Sequence, residues 1–107
     1  MTTRVPNAYQ HLQKSQPEYI AAVEQLGKVV RQCGPLAPKT VHFIQLAGAA
    51  AIRSEGAVHS HVRRALDDGA SVEELQHALI ALTSTIGFPN VMAALSWMND
   101  VAQGRSA

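Results

Sequence analysis

The segment Ser54-Glu-Gly-Ala-Val-His-Ser-His61-Val-Arg-Arg-Ala-Leu-Asp-Asp-Gly69-Ala-Ser71 concentrates the residues able to do chemistry. On a helix His61 shares a face with Val58, Val62 and Ala65, which sets its ring at the edge of a buried stripe, with Arg64 one turn along that edge. A half-buried imidazole beside a guanidinium is held toward its neutral form, the form suited to act as a base or to accept a hydrogen bond. His42 falls on a second helical stripe with Leu46, Ala49 and Arg53. Both histidines also have a plain structural reading, as core rings that hydrogen-bond across a bundle. The pair His59-Ser-His61 invites a metal reading, but residues two apart on a helix point about 200° from one another, so one subunit cannot turn both onto one ion. No metal is expected, and His59 is expected to face solvent or a neighbouring subunit. Glu55 suits the positive end of a helix dipole, and entry into a pocket as an acid is equally open. His11 and His77 read as surface residues, and Asp67-Asp68 as a solvated helix end.

The rest of the composition narrows the partners. Cys33 is the only cysteine among 107 residues, which excludes an intrachain disulfide and a dithiol cycle within one subunit. It precedes Gly34-Pro35, where a helix should end, and reads as a half-buried thiol. A net charge of +1 with dispersed charges offers no basic stripe for nucleic acid. No apolar run is long enough to cross a membrane and Met1-Thr-Thr-Arg-Val-Pro6 lacks a hydrophobic leader, so a cytoplasmic protein is expected. Aromatic residues make up 5% of the chain, so the core of a single domain over 1–107 must be built from Ala, Val, Leu and Ile.

Periodicity supplies the elements that position these side chains. A short helix or turn is expected before Ser15, with Tyr9 and Leu12 to pack. Ser15-Gln-Pro17-Glu18 predicts a capped start, followed by an amphipathic helix over 18–32 with Ile20, Val23, Leu26, Val29 and Val30 inward. A helix over 38–53 is apolar on nearly every side at Phe43-Ile-Gln-Leu-Ala-Gly-Ala-Ala-Ala-Ile52 and belongs in the middle of a bundle. A domain this small rarely surrounds such a helix, so subunit association is expected. A helix over 55–68 ends at Gly69. Ser71-Val-Glu-Glu74 opens another, with Leu75, Ala78, Leu79, Leu82 and Ile86 as its stripe. Gly87-Phe-Pro89 breaks the chain, and a last helix over 90–103 turns Val91, Ala94, Leu95, Met98 and Val101 inward, with a frayed tail over 104–107. The fold class is all-α.

The order of Leu36-Ala-Pro-Lys-Thr40, a small-residue helix, His61-Val-Arg-Arg-Ala-Leu66 with Gly69, Ser71-Val-Glu-Glu74 and Gly87-Phe-Pro89 resembles the carboxymuconolactone decarboxylase family, which includes the alkylhydroperoxidase D-like proteins. The resemblance covers about residues 36–94 and implies a bundle of five to six helices that associates as a trimer or hexamer. In the peroxidase branch two cysteines and a glutamate accompany the histidine. Here the cysteine positions are Ser54 and Ala57 and the glutamate position is His42. Sulfenic acid and disulfide states belong to sulfur, so thiol peroxidase chemistry at these positions is rejected, even though a peroxiredoxin-like label follows the family. The decarboxylase branch, which lacks the cysteines and keeps the histidine in an H-V-R-x-A-L context, implies a cofactor-free carboxy-lyase acting on a small organic acid or carboxylated lactone of aromatic catabolism. In that reading His61 handles a proton, Arg64 or Arg63 anchors a carboxylate, His42 faces the same pocket, and Ser54, Glu55 and Ala57 lie along the substrate. Two alternatives remain at this point: a non-catalytic oligomeric module of the same fold, and weak peroxide turnover through Cys33 between subunits.

Overall fold

A computed structural model describes residues 7–106. Among them there are seven helical segments and no strand: α1 (Asn7–Ser15), α2 (Pro17–Gln32), α3 (Pro38–Ala51), α4 (Glu55–Asp67), α5 (Val72–Ile80), α6 (Thr83–Ile86) and α7 (Phe88–Ser106). The expected all-helical architecture is present, with the segment over 71–86 divided in two. It bends at Ala81-Leu82, where the backbone turns into the four-residue α6 and Thr83 bonds its hydroxyl to the Ile80 carbonyl. Leu82 and Ile86 still pack against the core on the far side of that bend.

The core lies where the sequence stripes converge. Leu46, Ala49 and Ala50 of α3 meet Val58, Val62 and Ala65 of α4, and Leu75 and Leu79 of α5 join Ala94, Met98 and Val101 of α7. Seven of these eleven side chains are alanine or valine, so the helices approach closely without aromatic spacers. Burying each Leu or Met contributes about 1.5–3 kcal/mol.

Helix ends are fixed by local chemistry. α4 closes in a Schellman turn: Ala70 N–H donates to Ala65 O at 2.9 Å and Gly69 N–H to Leu66 O at 3.2 Å. Gly69 takes φ +98°, a conformation that costs a residue with a side chain. The same pair of bonds ends α3, from Ser54 N–H to Ala49 O and from Arg53 N–H to Ala50 O, and here Arg53 adopts φ +57°. α5 opens with the expected capping box, Ser71 Oγ accepting from Glu74 N–H while Glu74 Oε1 accepts from Ser71 N–H. Such a cap is worth about 1 kcal/mol. Lys39 reaches Glu74 at 3.3 Å and ties the start of α3 to that of α5.

Three expectations are corrected. Ser15 does not cap α2: it is the last residue of α1, and Gln16 takes the cap position with no side-chain bond. Its hydroxyl is unusable because α1 continues up to the boundary, with Gln16 N–H still bonded to Leu12 O. The apolar stripe of α2 is not inward: Ile20 is buried, whereas Val23, Leu26, Val29 and Val30 are 45–60% exposed in the single chain. The amphipathic pattern is real, but the other described residues leave about half of that face uncovered. Finally, α7 continues through Gly104 to Ser106 instead of fraying there. Ala107, the last residue of the expected tail, lies outside the described residues.

Candidate active site

The surface of α2 opposite its bare stripe forms one wall of a cleft of about 250 Å³. Glu24, Lys28 and Arg31 line it from α2, His42 from α3, and Arg64, Asp67 and Asp68 from the end of α4. Positions 24, 28 and 31 recur at helical steps, which places them on one face. Gly27 lies on that face as well. A Cβ there would stand 3.3 Å from Arg31 Nη1 and 3.7 Å from Arg64 Nη1, so two guanidiniums from different helices converge over the bare backbone. Two cations held together over a glycine are a ready anchor for an oxyanion.

His42 is buried, with 1% of its surface exposed, and its Nε2 lies 2.6 Å from Asp68 Oδ2. Asp68 was expected as a plain solvated helix end; it is exposed, yet the Schellman turn brings its carboxylate onto the ring. A carboxylate only accepts, so Nε2–H donates to Asp68 and Nδ1 points away from it. That Nδ1 is buried without a protein partner, and so is Nδ1 of His61. Buried polar atoms without partners are uncommon in native proteins, and two on neighbouring rings mark a place where a ligand group or water completes the bonding.

His61 is half-buried and does not itself line the cleft; it stands beside the groups that do. Burial lowers its pKa below the ordinary 6.5, and the positive charges of Arg64, His42 and Arg31 lower it further. The folded protein therefore binds this proton less readily than the unfolded chain. Stability contributed by the neutral ring is present above about pH 6.5 and is lost as pH falls toward the depressed value. Urea midpoints measured from pH 7.5 to 4.5 are expected to fall less steeply for His61→Gln than for the wild type; parallel curves would remove this account.

The remaining sequence candidates are divided. Arg64 is in the cleft with His42, whereas Arg63 opens onto a neighbouring cavity of about 390 Å³ lined also by Tyr9, Gln13, Gly56 and Ser60. The two cavities share Glu24 and Arg64, and Tyr9 donates its hydroxyl to Glu24 at 2.5 Å. This contact raises the Tyr9 pKa and engages a carboxylate that would otherwise compete for Arg64. Ser54 is occupied as a junction: its N–H ends α3 and its Oγ accepts from Ala57 N–H to start α4. Ala57 packs against the core, and Glu55 points to His59 and Asp100, away from the cleft residues. His59 is not simply solvent-facing; it is 24% exposed and lies 3.4 Å from Asp100. Cys33 is exposed at the end of α2, its thiol against Val30 O. Sequence reading missed Asp68, Lys28 and Arg31. The helical spacing of 24, 28 and 31 was a usable signal for the two cations, whereas Asp68 depends on a turn geometry that only coordinates display.

Comparisons with known proteins agree with the all-helical fold. Residues 17–100 match the Carboxymuconolactone decarboxylase family (CMD), a span that includes the whole cleft. The protein MJ1511 of Methanocaldococcus jannaschii, itself uncharacterised, is 29% identical over 91 residues, covering 85% of each chain. The crystal structure of apo-lpg0406, a carboxymuconolactone decarboxylase family protein from Legionella pneumophila, superposes with a TM-score of 0.73. It covers 89% of this chain and 85% of its own at 24% identity, a likeness of fold. With the family match extending from the start of α2 nearly to the end of α7, the chain belongs to the carboxymuconolactone decarboxylase family.

Proposed function

We propose that the protein is a cofactor-free decarboxylase of a small carboxylated lactone or similar organic acid, acting in the cleft between α2, α3 and α4. The observation that carries this reading is the convergence of the Arg31 and Arg64 guanidiniums beside the buried ring of His42 and the half-buried ring of His61, each with an orphaned Nδ1. Decarboxylation needs an anchored carboxylate, a sink for the electron pair released when the C–C bond to the carboxylate breaks, and a proton for carbon. Arg64 with Arg31 holds the substrate, and Lys28 adds positive potential at the rim. The electron pair moves into the conjugated carbonyl as an enolate, and carbon dioxide leaves. A proton drawn from water and relayed through the imidazole of His61 or His42 then adds to carbon, and Asp68 keeps the His42 ring in register. The step is redox-neutral and uses no sulfur, in agreement with Ser54 and Ala57 at the positions where other members carry cysteines.

Carbon dioxide release from a carboxylated lactone tests this directly. Arg64→Gln and His61→Gln are each expected to reduce turnover by about 10²-fold or more. Wild-type rates in both would sink the assignment.

One observation favours a second reading, a non-catalytic module of the same fold. Glu24, Asp67 and Asp68 line the cleft together with Lys28, Arg31 and Arg64, so its charge is internally balanced. Thermal shift with small mono- and dicarboxylic acids separates the two, since a catalytic cleft is stabilised by an acid that fits and a vestigial one by none. The bare stripe of α2 further supports self-association, as a trimer or hexamer, which light scattering would size. No described helix is long and apolar enough to cross a membrane, and a free thiol suits a reducing compartment, so we assign the protein to the cytoplasm.

A further inference from the structure

Away from the cleft, on the seam between α4 and α7, Glu55, His59 and Asp100 each present one ligating atom, all within 4.8 Å of one another. His59 Nε2 lies 3.4 Å from Asp100 Oδ2 and 4.0 Å from Glu55 Oε2. We propose that this cluster binds a first-row divalent transition ion such as Zn²⁺, with one imidazole nitrogen and two carboxylate oxygens as ligands and the remaining positions open to water. The site is separate from the decarboxylase reading and does not depend on it.

Four properties of the chain favour an ion there over a chance grouping of charges. Glu55 and His59 are one turn apart on α4, a spacing that turns two ligands to the same side of a helix. Asp100 comes from a different helix 41 residues along the chain, so the cluster is made by the fold and not by local sequence. The ring is held: its side chain is 24% exposed, and the neighbouring seam is fixed by the fully buried Val58, Val62 and Val101. The His59–Asp100 separation of 3.4 Å matches the edge of a tetrahedron whose metal–ligand bonds are about 2.0–2.1 Å long, and the exposed Glu55 carboxylate, 4.0 Å from the ring, closes on an ion by side-chain rotation. A nitrogen with two oxygens is a borderline donor set, which selects zinc-like ions over calcium. The pair His59 and His61 cannot share an ion, but His59 has two other partners in reach.

Cobalt(II) and zinc titrations of the whole protein test the proposal. The single tryptophan, Trp97, is one turn before Asp100 on α7, so Co²⁺ bound here is expected to quench its fluorescence, and Zn²⁺ to reverse the quenching by competition. His59→Ala and Asp100→Asn are each expected to weaken the apparent affinity at least tenfold. Glu55 and Asp100 are about three-fifths exposed, so Glu55→Gln and Asp100→Asn are variants that retain the fold. The fold of each is checked by circular dichroism. His77→Ala, an exposed histidine elsewhere, should titrate like the wild type. Absence of saturable quenching, or equal affinity in wild type and Asp100→Asn, overturns the site. Turnover of the lactone is not a readout, so loss of either proposal leaves the other standing.

Discussion

Replacing His42 with glutamine is expected to lower carbon dioxide release by about 10²–10⁴-fold, the range associated with removing a group that moves a proton in the transition state. Glutamine can still offer an amide to Asp68 from the buried position, so the substitution removes protonation chemistry while retaining much of the packing. An alanine would confound the two, because it leaves the Asp68 carboxylate without its partner and opens a void among fully buried neighbours. The control is Asp68→Asn, which keeps the His42 ring but weakens its orientation. Its rate should fall between those of the wild type and His42→Gln, and its pH–rate profile should shift relative to the wild type. Turnover in His42→Gln within threefold of the wild type would show that the buried ring is structural and leave His61 as the remaining proton carrier.

The largest effect on stability is expected at Leu46. This side chain is completely buried one turn after His42 on α3, facing α4 at the centre of the core. Leu46→Ala removes three carbons from a place bordered by Val58 and Val62, and is expected to cost about 2–5 kcal/mol, read from urea midpoints at constant m-value. The surrounding residues are short, so few side chains can lean into the gap, which argues for the upper half of that range. A loss below about 1 kcal/mol would mean that α3 shifts to close the cavity, and the same movement would displace His42.

The core was readable because its stripes are long and regular. Leu46 with Ala49, Val58 with Val62 and Ala65, and Leu75 with Leu79 all face inward as their spacing required. The glycine and serine punctuation at Gly69 and Ser71 was equally legible, because each demands a particular backbone or capping geometry. The same periodic logic misled at α2. Val23, Leu26, Val29 and Val30 satisfy every criterion of an inward face, but a pattern reports only that a face is apolar, never which surface covers it. Within the cleft, Arg64 and His42 could be anticipated together, whereas Arg31 could not be joined to them, because only the tertiary fold brings α2 and α4 to the walls of one cleft. Ser54 has a structural task that the sequence reading did not include. Its place in a familiar motif suggested a role along a substrate, and its hydrogen bonds are already committed to ending one helix and starting the next.

The left-handed corner at Gly69 joins architecture to reactivity through a residue that has no side chain and does not line the cleft. There is open space around its α-carbon, so a methyl group would meet no neighbour within 4 Å, and the whole penalty would come from the backbone torsion. If the turn relaxed to relieve that torsion, Asp68 would drift from its imidazole partner while the helices stayed packed. A genetic screen scoring only product formation would then group this glycine with the catalytic positions. The distinguishing trait would be a melting curve altered together with the rate, the mark of a hinge holding the machinery in place.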